Sequence, residues 1–149
     1  MEKPMQFEQR PDDGLGGGNT GKAENIEGKL SFGWGPVLGG MSWIEAEEEI
    51  VALNKQLKEG EDPWRLPTKE EWEEVLKPFT EADEKGVSDE ELHKTLEDIR
   101  KTNNLQSNYY WSSTTGADFP SDALVVNMYS GNVSYNNKDI DGILARCVR

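Results

Sequence analysis

Residues 109–149, YYWSSTTGADFPSDALVVNMYSGNVSYNNKDIDGILARCVR, hold most of the strand signal of this 149-residue chain. Tyr109–Ser113 is a short aromatic run, and Ala123–Tyr129 is rich in β-formers. Asn132–Asn136 follows after only Ser130 and Gly131, which is the spacing of a two-residue hairpin turn with glycine at its second position. That turn would set Tyr129 opposite Asn132, Met128 opposite Val133 and Val126 opposite Tyr135. Alternation along the strands then sends Leu124, Val126, Met128, Val133 and Tyr135 to a core face. Val125, Asn127, Tyr129, Asn132, Ser134 and Asn136 go to a polar face carrying one aromatic ring.

Upstream, three capping boxes mark helix starts: Ser42 with Glu45, Thr68 with Glu71, and Ser88 with Glu91. After the first, Trp43, Ala46, Ile50, Leu53 and Leu57 recur at helical spacing up to Gly60. The second opens a helix with Trp72, Val75, Leu76 and Phe79 on its apolar face, limited by Pro78. The third opens one bearing Leu92, Leu96 and Ile99, with acids in its first turn and Arg100 and Lys101 in its last, as the helix dipole favours. His93 falls on the exposed side of that helix. Lys29–Gly40, KLSFGWGPVLGG, reads as a strand or two with turns and should begin the domain. Residues 1–28 contain six of the fifteen glycines and few apolar residues, the composition of a flexible tail. Within them GGGNTGKA, Gly16–Ala23, lacks both the final Ser or Thr of a phosphate-binding loop and the strand that should feed one.

Charge narrows the partners. The net charge is −13, and residues 41–108 carry 19 acidic against 9 basic side chains, whereas residues 109–149 carry 4 against 3. An acidic shell opposes nucleic acid and anionic membrane surfaces, so neither is an expected partner. A nearly neutral hairpin suits a neutral polar ligand or a protein. The first residues show no secretory pattern and no run is long enough to span a bilayer, so a cytoplasmic location is the default; removal of a leader would make the chain secreted or surface-bound.

One histidine and one cysteine cannot assemble a nucleophilic triad or a metal cluster, so neither catalysis nor a cofactor is expected. Cys147 reads as a small buried residue. Asn137, Asp139, Asp141 and Gly142 imitate the start of a calcium loop, but Val148 stands where its bidentate glutamate belongs. Trp64, Leu66, Trp111 and Val148 are core candidates, and Arg65 and Arg146 read as buried arginines bonded to carbonyls in preference to ligand contacts.

The order WRLPT, a helix, YYWSST, a hairpin and a terminal LARCVR resembles the Lcl-type C-terminal domain family over roughly residues 30–149. The resemblance implies an α+β, C-type-lectin-like fold: two to three helices packed on a small, twisted, mostly antiparallel sheet whose first and last strands lie together. Residues 81–104 then look like a helical insertion. The polar hairpin face and the lack of a catalytic constellation point to a non-catalytic binding module recognising a neutral glycan or a protein. The expected ligand face is Asn127, Tyr129, Asn132, Ser134 and Asn136, extended by Asn137 and Asp139. Two alternatives attach to the resemblance. One is a binding protein diversified by a retroelement, whose adenine mutagenesis would enrich residues of the kind seen here. The other is an oxidative enzyme like the formylglycine-generating enzymes, for which this chain has too few cysteine and histidine ligands.

Overall fold

The computed structural model describes residues 22–25 and 28–149. In chain order the elements are β1 (Lys22–Asn25), β2 (Gly28–Met41), α1 (Trp43–Asn54), α2 (Lys69–Val75), α3 (Lys77–Glu84), α4 (Asp89–Asn103), β3 (Tyr109–Thr115), β4 (Asp122–Asn127), β5 (Val133–Asn137) and β6 (Ile143–Val148). The sheet order is β1-β2-β6-β3-β4-β5. All neighbours are antiparallel except β3 and β6, which run parallel and meet at Tyr110 and Leu144. The domain is therefore α+β with a mostly antiparallel sheet, and the long second strand lies beside the last one. Residues 22–25, read from sequence as part of a tail, pair with β2; residues 1–21, including most of the phosphate-loop imitation, lie outside the described residues.

Alternation sorts the strands into two cores, one on each face. Leu124, Val126, Tyr110, Leu144 and Val148 join Trp72, Val75, Leu96 and Ile99 from α2 and α4. Their alternates Ala123, Val125, Trp111, Ile143, Ala145 and Cys147 join Ala46 and Ile50 from α1. The hairpin was expected to have one polar face, but β4 is buried on both sides and so is the whole of β6. Helices on both faces account for this, because an apolar side chain beneath either layer is removed from water. Three buried indoles and the partly buried Trp43 tie the layers together by donating to fixed acceptors. Trp72 donates to the Trp111 carbonyl, Trp111 to Met41, Trp43 to Ser112, and Trp34 to Oδ1 of Asn103.

The helices begin where their capping boxes place them. Ser42, Thr68 and Ser88 each accept from the backbone N–H three residues on, and the first two boxes are reciprocal. α2 stops at Val75, short of Pro78, which itself sits in the first turn of a further helix, α3, where its missing N–H has no helical acceptor to lose; Phe79 therefore belongs to α3. Residues 81–104 pack into the core through Leu96, Ile99 and Asn103, with Leu105 buried just beyond them, and α4 ends in a left-handed Asn104.

Arg146 is fully buried, as its sequence context suggested, with Nη1 donating to the carbonyls of Asn103 (2.6 Å) and Asn104 (3.2 Å) and its guanidinium over the Trp34 ring. Burial lowers its pKa to about 10, so it remains cationic at neutral pH. Arg65 departs from the expected burial: its side chain is 46% exposed and forms a bidentate pair with Glu71 at 2.7 Å. Leu66, Trp111 and Val148 are buried, whereas Trp64 is half-buried between Gly35 and the Arg149 guanidinium, 3.8 Å from its ring. Cys147 is buried and desolvation pushes its thiol up to about 12, which keeps it protonated and unreactive.

Candidate cleft at the β4–β5 turn

The hairpin closes two residues earlier than its glycine suggested. Val126 lies opposite Val133 and Leu124 opposite Tyr135, leaving residues 128–131 as the loop. Side chains explain the longer loop. Oδ1 of Asn127 accepts from the N–H groups of Tyr129 (2.9 Å) and Ser130 (3.4 Å), an Asx-type turn that takes both residues out of the ladder. Met128 is buried, its N–H donates to the Asn108 carbonyl and its own carbonyl accepts from Nη1 of Arg100 at 2.7 Å. Gly131 completes the loop at φ +81°, and any Cβ there would collide with the Phe79 ring. The turn is held from three sides, by β4, α4 and α3. A shift of two residues preserves parity, so Val133 stays on the face of Val126.

Two clefts flank this turn and share Phe79 as a wall. The larger, about 630 Å³ and open to solvent, lies between α3 and the hairpin. Tyr109 and Phe79 give it ring surface, Asn127, Asn132 and Ser134 give it amides and a hydroxyl, and Thr80 and Asp83 enter from α3. The smaller, about 210 Å³, is lined by Leu92, Leu96 and Phe79, with Tyr129 on one side and Asp89 on another. Tyr129 is 60% exposed and meets the edge of the His93 ring at 6.2 Å between centroids.

The expected ligand face is thus divided. Asn127, Asn132 and Ser134 come together in the larger cleft, although the Asn127 oxygen is already engaged by the turn. Tyr129 belongs to the smaller cleft, because the loop lifts it out of strand alternation. Asn136, Asn137 and Asp139 line neither. Asn136 pairs with Ala123 on β4, and Oδ1 of Asn137 accepts from the Asp139 N–H at 2.8 Å, closing the next turn. Asp141 similarly accepts from Gly142, so two oxygens of the calcium-loop imitation serve backbone turns. Among the described residues no three His, Cys, Asp or Glu side chains gather as a metal site.

Sequence reasoning missed the α3 and α4 walls. Phe79 had been assigned wholly to a helix core, yet it is only partly buried and has a face left for the clefts. Asp83, Asp89, Leu92 and Leu96 lie in the segment read as an insertion, whose packing no spacing rule could place.

A mostly antiparallel α+β domain with helices on both faces and paired clefts at one fixed turn is the class of protein defined so far. The chain belongs to the Lcl C-terminal domain family, which it matches over residues 22–149, nearly the whole of its length. No curated protein matches it. No helix among the described residues is long and apolar enough to cross a membrane.

Proposed function

We propose that this domain is a non-catalytic binding module that engages a polar ligand, a glycan or a protein segment, at the β4–β5 turn. The observation that carries the reading is the larger cleft, where exposed ring surface from Tyr109 and Phe79 stands beside the amides and hydroxyl of Asn132 and Ser134. Rigid aromatic surface with neutral donors and acceptors binds at small entropic cost, since few rotors are frozen on contact. Preorganisation adds to this: the loop is held by the Asn127 side chain and by Arg100 of α4 before any ligand arrives. Adjacent β2 and β6 strands and helices packed on a small sheet support a C-type-lectin-like architecture, in which such a turn would be a recognition loop.

The test is a glycan array and a binding screen against native-cell proteins, run with the intact domain and with Tyr109→Ala combined with Asn132→Ala. Both residues are exposed, so the double variant should keep its fold while losing its ligand. Unchanged binding by a folded double variant would exclude this cleft as the site.

A further inference from the structure

The hairpin is nearly neutral in sequence, but the walls that α3 and α4 bring to it are not. One carboxylate lines each cleft, Asp83 the larger and Asp89 the smaller; neither cleft is lined by a lysine or arginine, and His93 is the other titratable side chain beside the smaller one apart from Tyr129. Among the described residues neither carboxylate forms an ion pair. The one nearby guanidinium, Arg100, is directed to the Met128 carbonyl. The smaller cleft combines an aliphatic wall from Leu92 and Leu96, ring surfaces from Phe79 and Tyr129, and Asp89 beside them. A long side chain with an apolar stem and a cationic head matches all three features. Its methylenes would cover aliphatic surface, its charge would face an aromatic ring, and its head would reach a carboxylate. At about 210 Å³ the space suits one side chain and is smaller than an ordinary drug-sized site.

We propose, building on the binding reading above, that the ligand is a protein segment whose lysine or arginine enters the smaller cleft while its flanking residues cross the Tyr129–Gly131 ridge into the larger one. The surrounding charge favours the same partner. α3 with its C-cap and the first turn of α4 carry Glu81, Asp83, Glu84, Asp89, Glu90 and Glu91 against Lys77 and Lys85, so the approach to the turn is acidic on balance and attracts a basic segment.

The experiment is an amide-resolved NMR titration of the full chain with a short peptide of glycine, serine and asparagine bearing a central lysine, and with analogues centred on arginine, norleucine or glutamate. The lysine and arginine peptides should shift amides of residues 79–96 and 127–134. Norleucine should bind about fivefold more weakly, the scale of one exposed ion pair. Asp89→Asn should produce the same loss for the lysine peptide and none for norleucine, whereas Asp118→Asn, in the exposed β3–β4 loop, should change neither. Equal binding of the glutamate peptide, or an unaltered lysine affinity in Asp89→Asn, would overturn the cationic assignment. Oligosaccharides that shift the same amides while no peptide does would also overturn it and leave the cleft as the binding site. Peptide-induced shifts confined to residues outside both clefts would overturn the site itself along with the cationic assignment.

Discussion

Strands β4 and β5 are paired residue for residue, yet one is buried on both faces and the other is exposed on nearly every residue. Val126 and Val133 face each other across the ladder; the first is inaccessible to solvent and the second is 50% exposed. Pattern cannot separate them, since both strands carry β-formers at alternate positions. What differs is cover. β4 is overlain by α1 residues on one side and by α2 and α4 residues on the other, while β5 is the sheet edge and contributes to neither buried cluster. Burial in this domain is therefore a property of layers, and a strand's own alternation reports it only where a layer exists.

The sharpest test of that contrast lies in the covered region. Trp111 is fully buried in the α1-side core and donates to the Met41 carbonyl at 2.9 Å, joining β3 to the end of β2. Trp111→Ala should cost about 3–5 kcal/mol, read as the midpoint shift in chemical denaturation. A soluble variant of native stability would mean that this face is not a core. Val126→Thr, which places a hydroxyl where only apolar groups cluster, should cost about 1–3 kcal/mol in the same measurement.

The turn joining the two strands should respond less than a core tryptophan and more than a surface position. Gly131→Ala combines a left-handed backbone with a collision against Phe79, and the expected loss is about 1–3 kcal/mol. Combining it with Phe79→Ala should recover only the steric part, because the strain of φ +81° remains. Full recovery would show that the ring contact alone fixes the residue.

Much of the architecture was legible because its signals are local. The N-caps at Ser42, Thr68 and Ser88 depend on groups three residues apart, two of them as full capping boxes, and the Arg146 environment was foreseeable because a guanidinium in an apolar strand needs carbonyls. The second sheet face was not legible, since which helix covers which side is decided by tertiary packing of residues far apart in sequence. The turn register failed for a subtler reason. Ser130-Gly131 is a good two-residue turn, but Asn127 offers a competing one by accepting two backbone N–H groups. The same chemistry recurs nearby: Asn108, Asn127 and Asn137 each accept from a backbone N–H one to three residues ahead. The candidate site was half legible: three of its polar residues share a cleft, and the α3 and α4 walls came only with the fold.

At the far edge of the covered region, Arg65 and Glu71 make an exposed-to-partly-buried pair. Burial pushes the Glu71 carboxyl up, but hydrogen bonds from Arg65 and Thr68 and the adjacent positive charge outweigh it, leaving the group below its ordinary value. A depressed carboxylate stabilises the fold above its unfolded pKa, about 4.3, and the contribution is lost as pH falls through the folded value. Arg65→Ala should therefore cost no more than about 1 kcal/mol at neutral pH, given solvent screening of the guanidinium. The difference from the parent chain should shrink below about pH 4 as Glu71 protonates in both.

The smallest effect is expected on β5. Val133→Thr makes the same chemical change as Val126→Thr, on the same face and in the paired residue, so the two variants differ only in cover. A hydroxyl at a half-exposed edge position keeps its water, and threonine retains the β-branch that suits a strand. The expected change is within about 0.5 kcal/mol. Tyr135→Thr, two residues on and 47% exposed, should behave alike apart from the loss of partly buried ring surface. If Val133→Thr instead destabilised the domain as much as Val126→Thr, with a cost that grew with protein concentration, the edge would be covered in solution by a second copy of the chain. Concentration-independent loss of the same size would mean that β5 is held by the domain's own packing, and the contrast between the two strands would not stand.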